Sequence, residues 1–242
     1  MLASKSNVAM AAIALFFSSA AALDPTCAPG GNFDLSRFVL QLPSGTTNKP
    51  DQIPASQLAS CSGYQDPGHH YFFTESGDGA LVMKAPGGGR CAYFSGAPRC
   101  RSELGETASW SSTAAVNRLT ADLLVTTGSS ICIGQVFQSN SNNKPLAEVY
   151  YSSSGQITVG VEYVATGGQG QDLNKIGTVT PGSRFHYEMR FENGQLQFSL
   201  NGGAFKTLKQ YFTTSRAFFK VGNYNQGSDD SDIHVFGLTV SH

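Results

Sequence analysis

RFENGQLQFSL, from Arg190 to Leu200, decides the fold class. Asn193-Gly194 sits between two strand-like runs, RFE and QLQFSL. A two-residue type I′ turn needs positive φ at both central positions, which Asn-Gly accepts at low cost. The stretch therefore reads as an antiparallel hairpin. Working outward, similar short runs occur at Phe185–Phe191, Ala217–Val221 and Ile233–Val240. Upstream lie Ile157–Val164, Glu148–Ser152, Ser130–Gln138, Arg118–Thr127 and Ser102–Glu106. Tyr71–Thr74 and Ala80–Ala85 flank the turn Gly77-Asp78-Gly79, and Phe33–Leu42 alternates in part. Gly45–Ser60 is polar and contains prolines, so it reads as loop. No stretch carries a sustained 3.6-residue period. About a dozen short strands without helices imply an all-β chain of two packed antiparallel sheets.

Composition agrees. The 242 residues include 27 Gly, with 11% aromatic and only 14% charged residues. One domain spanning 23–242 is expected, because β-sandwiches reach this length as single units. The net charge of −1 comes without a basic block. That excludes a phosphate-binding, nucleic-acid function. Recognition of any anion must rest on a few placed cations.

Residues 1–22 read as a signal peptide. Lys5 is the basic start, Val8–Phe17 the apolar stretch, and Ala20-Ala21-Ala22 the cleavage pattern. The apolar stretch is too short to span a bilayer comfortably. The expected protein is secreted, extracellular, monomeric and free of membrane. Secretion makes disulfides expected among Cys27, Cys61, Cys91, Cys100 and Cys132. Cys91 and Cys100 bracket a short Gly/Pro loop, and Cys27 with Cys61 would tie down the N-terminal arm. Cys132, inside the apolar run Ile131-Cys132-Ile133, is then the free thiol. No CxxC spacing or His cluster suggests zinc. No metal or cofactor is expected to be required, and the sequence leaves open whether a structural calcium is bound.

Three strand-like segments carry polar residues at alternating positions. In Arg101-Ser102-Glu103-Leu104-Gly105-Glu106, alternation puts Arg101, Glu103 and Gly105 on one face. In Ile133-Gly134-Gln135-Val136-Phe137, Ile133, Gln135 and Phe137 share a face. In Phe218 to Gln226 (FFKVGNYNQ), Lys220, Gly222, Tyr224 and Gln226 point one way.

This ordered set resembles polysaccharide lyase family 7, the alginate lyase jelly rolls. The family's RSE strand, Q-I/V-H strand and YFKxGxYxQ strand correspond here to Arg101-Ser102-Glu103, Gln135-Val136-Phe137 and Phe218–Gln226. Phe33-Asp34-Leu35-Ser36 and Lys84-Ala85-Pro86 extend the likeness to about residues 33–240. The resemblance implies a β-jelly roll with a concave groove and cleavage of an anionic uronate polymer by β-elimination. It implies Tyr224, Gln135 and Arg101 as the catalytic set, and Lys220, Gln226, Glu103, Asn223 and Phe137 as substrate contacts. Arg101 and Gln135 would neutralise the uronate carboxylate. Tyr224 would protonate the C4 oxygen and, as phenolate, take the C5 proton. Arg101 and Lys220 would favour that phenolate.

Two positions depart from the family. Phe137 stands where the family has histidine, and Gly105 where it has a second arginine. His69 or His70 is the available stand-in base. A site with one tyrosine and no histidine suits substrates whose C5 proton and C4 oxygen lie on the same side. Those are mannuronate-type or glucuronate-type links, so mannuronate-rich alginate or glucuronan is the expected polymer. Two other classes stay open. A carbohydrate-binding jelly roll without catalysis would keep the groove but not need Tyr224. A glycoside hydrolase would need two opposed carboxyl groups.

Overall fold

The computed structural model describes residues 22–242. The segment read as a signal peptide lies outside the described residues except for Ala22. Two one-turn helices, α1 (Pro29–Asn32) and α2 (Ala55–Leu58), accompany sixteen strands. In chain order these are β1 (Phe38–Thr46), β2 (Lys49–Ile53), β3 (Phe72–Thr74), β4 (Leu81–Ala85), β5 (Arg101–Glu106), β6 (Trp110–Ser111), β7 (Arg118–Thr127) and β8 (Ser130–Gln138). They continue as β9 (Pro145–Ser152), β10 (Gln156–Glu162), β11 (Gln171–Thr178), β12 (Phe185–Glu192), β13 (Gln195–Leu200), β14 (Lys206–Leu208), β15 (Arg216–Asn225) and β16 (Ser231–Ser241).

The strands form two antiparallel sheets. The nine-stranded sheet runs β11-β10-β9-β8-β15-β5-β1-β2, with β6 pairing β15. The seven-stranded sheet runs β14-β13-β12-β7-β16-β4-β3. This is the jelly-roll sandwich the sequence led us to expect. The Asn193-Gly194 turn joins β12 to β13 with φ of 49° and 73°, both positive as a type I′ turn requires.

The core lies between the sheets. Strand β12 alternates cleanly, burying Phe185, Tyr187, Met189 and Phe191 and leaving the residues between them half exposed. These meet Leu40, Leu104, Val136, Phe219 and Val221 from the nine-stranded sheet. Strand β5 behaves differently, because every residue in it is buried. Its outer face is covered not by core but by the walls of a groove.

Two disulfides join Cys27 to Cys61 and Cys91 to Cys100, and Cys132 is a buried free thiol. Among the described residues no helix is long and apolar enough to cross a membrane.

Several expectations need correction. The stretch Gly45–Ser60 is not all loop: β1 continues to Thr46, and β2 pairs back from Thr46↔Lys49 to Leu40↔Ile53. The two edge strands β11 and β14 had not been expected at all. Outer strands need only backbone pairing on one side, so their sequences can stay polar and hide the alternation. Finally, Ile133 does not share a face with Gln135. The pairing of β8 with β9 slips between Cys132 and Gly134. This bulge turns Ile133 into the core and places Cys132 opposite Tyr150 and Tyr224.

A matching slip lies in β15 between Val221 and Tyr224. There Gly222 adopts φ of 142°, and a Cβ would come within 2.6 Å of the Ser102 carbonyl oxygen and 2.8 Å of Met83 Cε. Only glycine fits both constraints. Gly222→Ala is expected to destabilise the protein by about 1–3 kcal/mol, the usual cost of overpacking. A fall in the urea midpoint checks this, and an unchanged midpoint would show that the slip relaxes freely.

Candidate active site

Strands β5, β15 and β8 are neighbours, so the three polar motifs lie side by side on the outer face of the nine-stranded sheet. Register aligns them: Tyr224 faces Arg101, Gly222 faces Glu103, and Lys220 lies between Gly105 and Gln135. Together they floor a groove of about 780 Å³ that crosses the sheet from Gln52 on β2 to Glu162 on β10. Arg101, Glu103, Gly105, Gln135, Phe137, Lys220 and Tyr224 all line it.

Glu103 organises the floor from below. It is buried, and its Oε2 accepts from Arg101 Nη1 at 3.0 Å and lies 3.7 Å from Lys220 Nζ. Its Oε1 accepts from Gln135 Nε2. Burial opposes its charge, but Lys220, Arg101 and the Gln135 hydrogen bond outweigh that and hold the carboxyl below its usual range. Both oxygens are thus engaged by protein, so Glu103 positions Arg101, Lys220 and Gln135 in the groove it lines.

Arg101 lies over Tyr224, with its guanidinium carbon 3.6 Å from the ring centroid. Its Nε is buried and has no partner, which leaves a charged donor unused in the groove floor. Tyr224 feels opposing influences. Burial raises its pKa, Arg101 lowers it, and Glu103, Glu148 and Cys132 add to the effect of burial, which wins. Arg101 thus favours the phenolate, as expected, but the net upward shift keeps the resting phenol neutral. Lys220 is shifted downward by burial, with Glu103 resisting. Its Nζ sits 4.1 Å from the Phe137 ring centroid, and its stem passes over Gly105, 3.6 Å from where a Cβ would be. The two departures from the family pattern therefore form the bed for one lysine.

Two expected substrate contacts do not lie on the groove. Asn223 is fully buried on the opposite face: its Nδ2 donates to the Met83 carbonyl at 3.0 Å and its Oδ1 accepts from Ser231 at 2.7 Å. It ties β15 to the other sheet. Gln226 falls just past the end of β15, where its Nε2 donates to the Tyr224 carbonyl at 3.2 Å. Nor do the loop histidines reach the groove. His69 stacks on Phe73 at 4.8 Å, and His70 lies 3.6 Å from Asp66. Both sit before β3, at the edge of the other sheet.

Sequence reasoning missed a second polar group on the same wall. Glu148 on β9 faces Gln135 across the ladder, and Glu162 ends β10. Gln171 on the unexpected strand β11 bridges them, donating to Glu148 at 2.6 Å and to Glu162 at 2.9 Å. Burial raises the pKa of Glu148, the hydrogen bonds from Tyr150 and Gln171 lower it in part, and the charge of Glu162 adds to the rise. The signal available was the alternation Glu148-Val149-Tyr150, which puts both polar side chains on one face.

The chain matches the family model described as alginate lyase over residues 33–242. Alginate lyase A1-II′, a member of polysaccharide lyase family 7, superposes with a TM-score of 0.76 at 23% identity, covering 89% of this chain and 98% of that one. The alginate lyase PA1167 from Pseudomonas aeruginosa gives 0.73 at 24% identity, covering 87% and 100%. The alginate lyase from Klebsiella pneumoniae gives 0.71 at 22%, covering 89% and 98%. At such identities these structures speak for the fold, while the family rests on the sequence match. A search of curated proteins found no match. The motif strands, the groove and the match over residues 33–242 lead to one assignment: this chain belongs to the alginate lyase family.

Proposed function

We propose that the protein is a secreted lyase that cleaves a mannuronate-type or glucuronate-type polymer by same-side β-elimination. One observation carries this reading. The Arg101 guanidinium, its carbon 3.6 Å from the Tyr224 ring centroid and its buried Nε without a partner, puts a carboxylate neutraliser and a phenol in the same groove. Variants of alginate lyase A1-II′ have been solved in complex with a product (GGG) and with a substrate (GGMG). The two disulfides suit an oxidising compartment.

In this mechanism a uronate carboxylate docks on Arg101, with Gln135 and Lys220 beside it. Neutralising that charge makes the C5 proton removable. The Tyr224 phenolate takes the proton, the C4–O bond breaks, and a C4=C5 double bond forms. Tyr224 then returns the same proton to the departing oxygen. A neutral resting phenol means only a minor fraction starts as phenolate, the fraction that the Arg101 charge beside the ring favours.

A hydrolase reading is disfavoured by the carboxyl groups. Glu103 is consumed by its cations, and Glu148 with Glu162 share one amide on the same wall instead of facing each other across a bond. The test is absorbance near 235 nm, where the unsaturated product absorbs. Poly-mannuronate or glucuronan is expected to give product at least about tenfold faster than poly-guluronate. Reducing ends without absorbance would indicate hydrolysis and overturn the proposal.

A further inference from the structure

Glu148 and Glu162 are puzzling in a groove meant for a polyanion. Both line it, and they are only 8% and 7% exposed. The groups that touch them are neutral: Tyr150 donates to Glu148 at 2.8 Å, the Cys132 thiol lies 3.9 Å from Glu148 Oε1, and Gln171 serves both. Glu162 Oε2 is buried without any partner. A buried carboxylate oxygen with an unused lone pair is costly until something donates to it.

We propose that Glu148 and Glu162 form a subsite that binds a sugar unit of the polymer through its hydroxyl groups and turns that unit's carboxylate away. This rests on the polysaccharide-lyase reading and adds an orientation rule to it. Glu148 lies one strand and Glu162 two strands beyond Gln135, about 5 and 10 Å at ordinary strand spacing. A chain whose carboxylate is held at Arg101 and Gln135 therefore reaches the acidic pair with a neighbouring unit. Sugar hydroxyls are neutral donors and satisfy carboxylate lone pairs directly. A uronate carboxylate there would instead set a third negative charge beside two buried ones. Burial and the neighbouring carboxylates of Glu162 and Glu103 already push the Glu148 carboxyl upward, in line with that cost. Arg101 thus accepts the carboxylate edge of one unit, and the glutamates accept the hydroxyl edge of a neighbour.

The test measures binding rather than turnover. Mannuronate and glucuronate hexamers are titrated calorimetrically into Tyr224→Phe protein, alone and combined with Glu148→Gln or Glu162→Gln. These replacements keep shape and remove charge, and circular dichroism reports folding. Each is expected to weaken binding of the preferred hexamer about tenfold or more, the usual effect of losing a hydrogen bond to a charged group, equally in calcium and in EDTA. If one variant does not fold, the other decides. Unchanged or tighter binding would overturn the hydroxyl subsite. Binding that needs calcium would overturn it too, by making the pair a cation site. A hexamer that fails to bind Tyr224→Phe protein at all overturns both readings. Wild-type protein that makes no 235 nm product, while the glutamine variants still weaken binding, defeats the lyase reading alone.

Discussion

Tyr224→Phe should lower kcat on the best uronate polymer by at least about a hundredfold, the scale of losing acid–base catalysis. The substitution removes one hydroxyl and keeps the ring on which the Arg101 guanidinium rests. Folding and much of the binding should therefore survive. The pH profile separates the two roles of the phenol. Burial holds its pKa above the ordinary value of 10.0. If the phenolate is the base, kcat/KM must climb with pH through the neutral range, about tenfold per unit while no other group limits the rate. A flat profile would leave Tyr224 only the acid role and require another base. Near-normal turnover in Tyr224→Phe would remove it from the mechanism entirely. Among nearby groups Lys220, whose pKa burial lowers, would then be the base to test.

Arg101→Ala should act differently, depressing turnover by about a hundredfold to a thousandfold, the scale of losing one electrostatic stabiliser, and weakening binding as well. Its signature is a joint loss, because the carboxylate it neutralises is present in both bound substrate and transition state. Stability should fall too. Glu103 would keep Lys220 and Gln135 but lose its 3.0 Å partner. Breaking a buried pair outright costs about 3–5 kcal/mol, and the remaining partners should hold the loss to about 3 kcal/mol or less. Arg101→Lys is the control: it restores charge beside Glu103 without the planar fork. Stability recovering while turnover stays low would assign Arg101 to substrate neutralisation. Turnover recovering fully would reduce its part to plain charge.

Much of this was legible because strand parity is a strong code. Alternation alone brought Arg101 with Glu103, and Lys220 with Tyr224, onto the groove face. It failed where the backbone breaks step. Ile133 and Gln135 are two apart, yet the bulge puts one in the core and the other in the groove. Gln226 fails for another reason: its parity is right, but the strand stops at Asn225. Asn223 looked functional because it is polar within a motif, whereas its amide serves the opposite sheet. Glu162 and Gln171 escaped notice because they meet only through β11, an edge strand with no apolar rhythm. No local pattern reports a partner nine residues away across a polar turn.

The last two strands, β15 and β16, sit in the interior of the two sheets, between β8 and β5 in one and β7 and β4 in the other. Synthesis runs from the N-terminus, so both sheets must wait for their central members. Until residues 216–241 leave the ribosome, β5, β8, β4 and β7 all present unpaired backbone edges, the kind that attract other chains. Neither sheet can close before its own central strand emerges. The molecule gains Tyr224 and Lys220 in the same event that joins its halves. Catalytic competence and escape from aggregation thus both wait on these two strands.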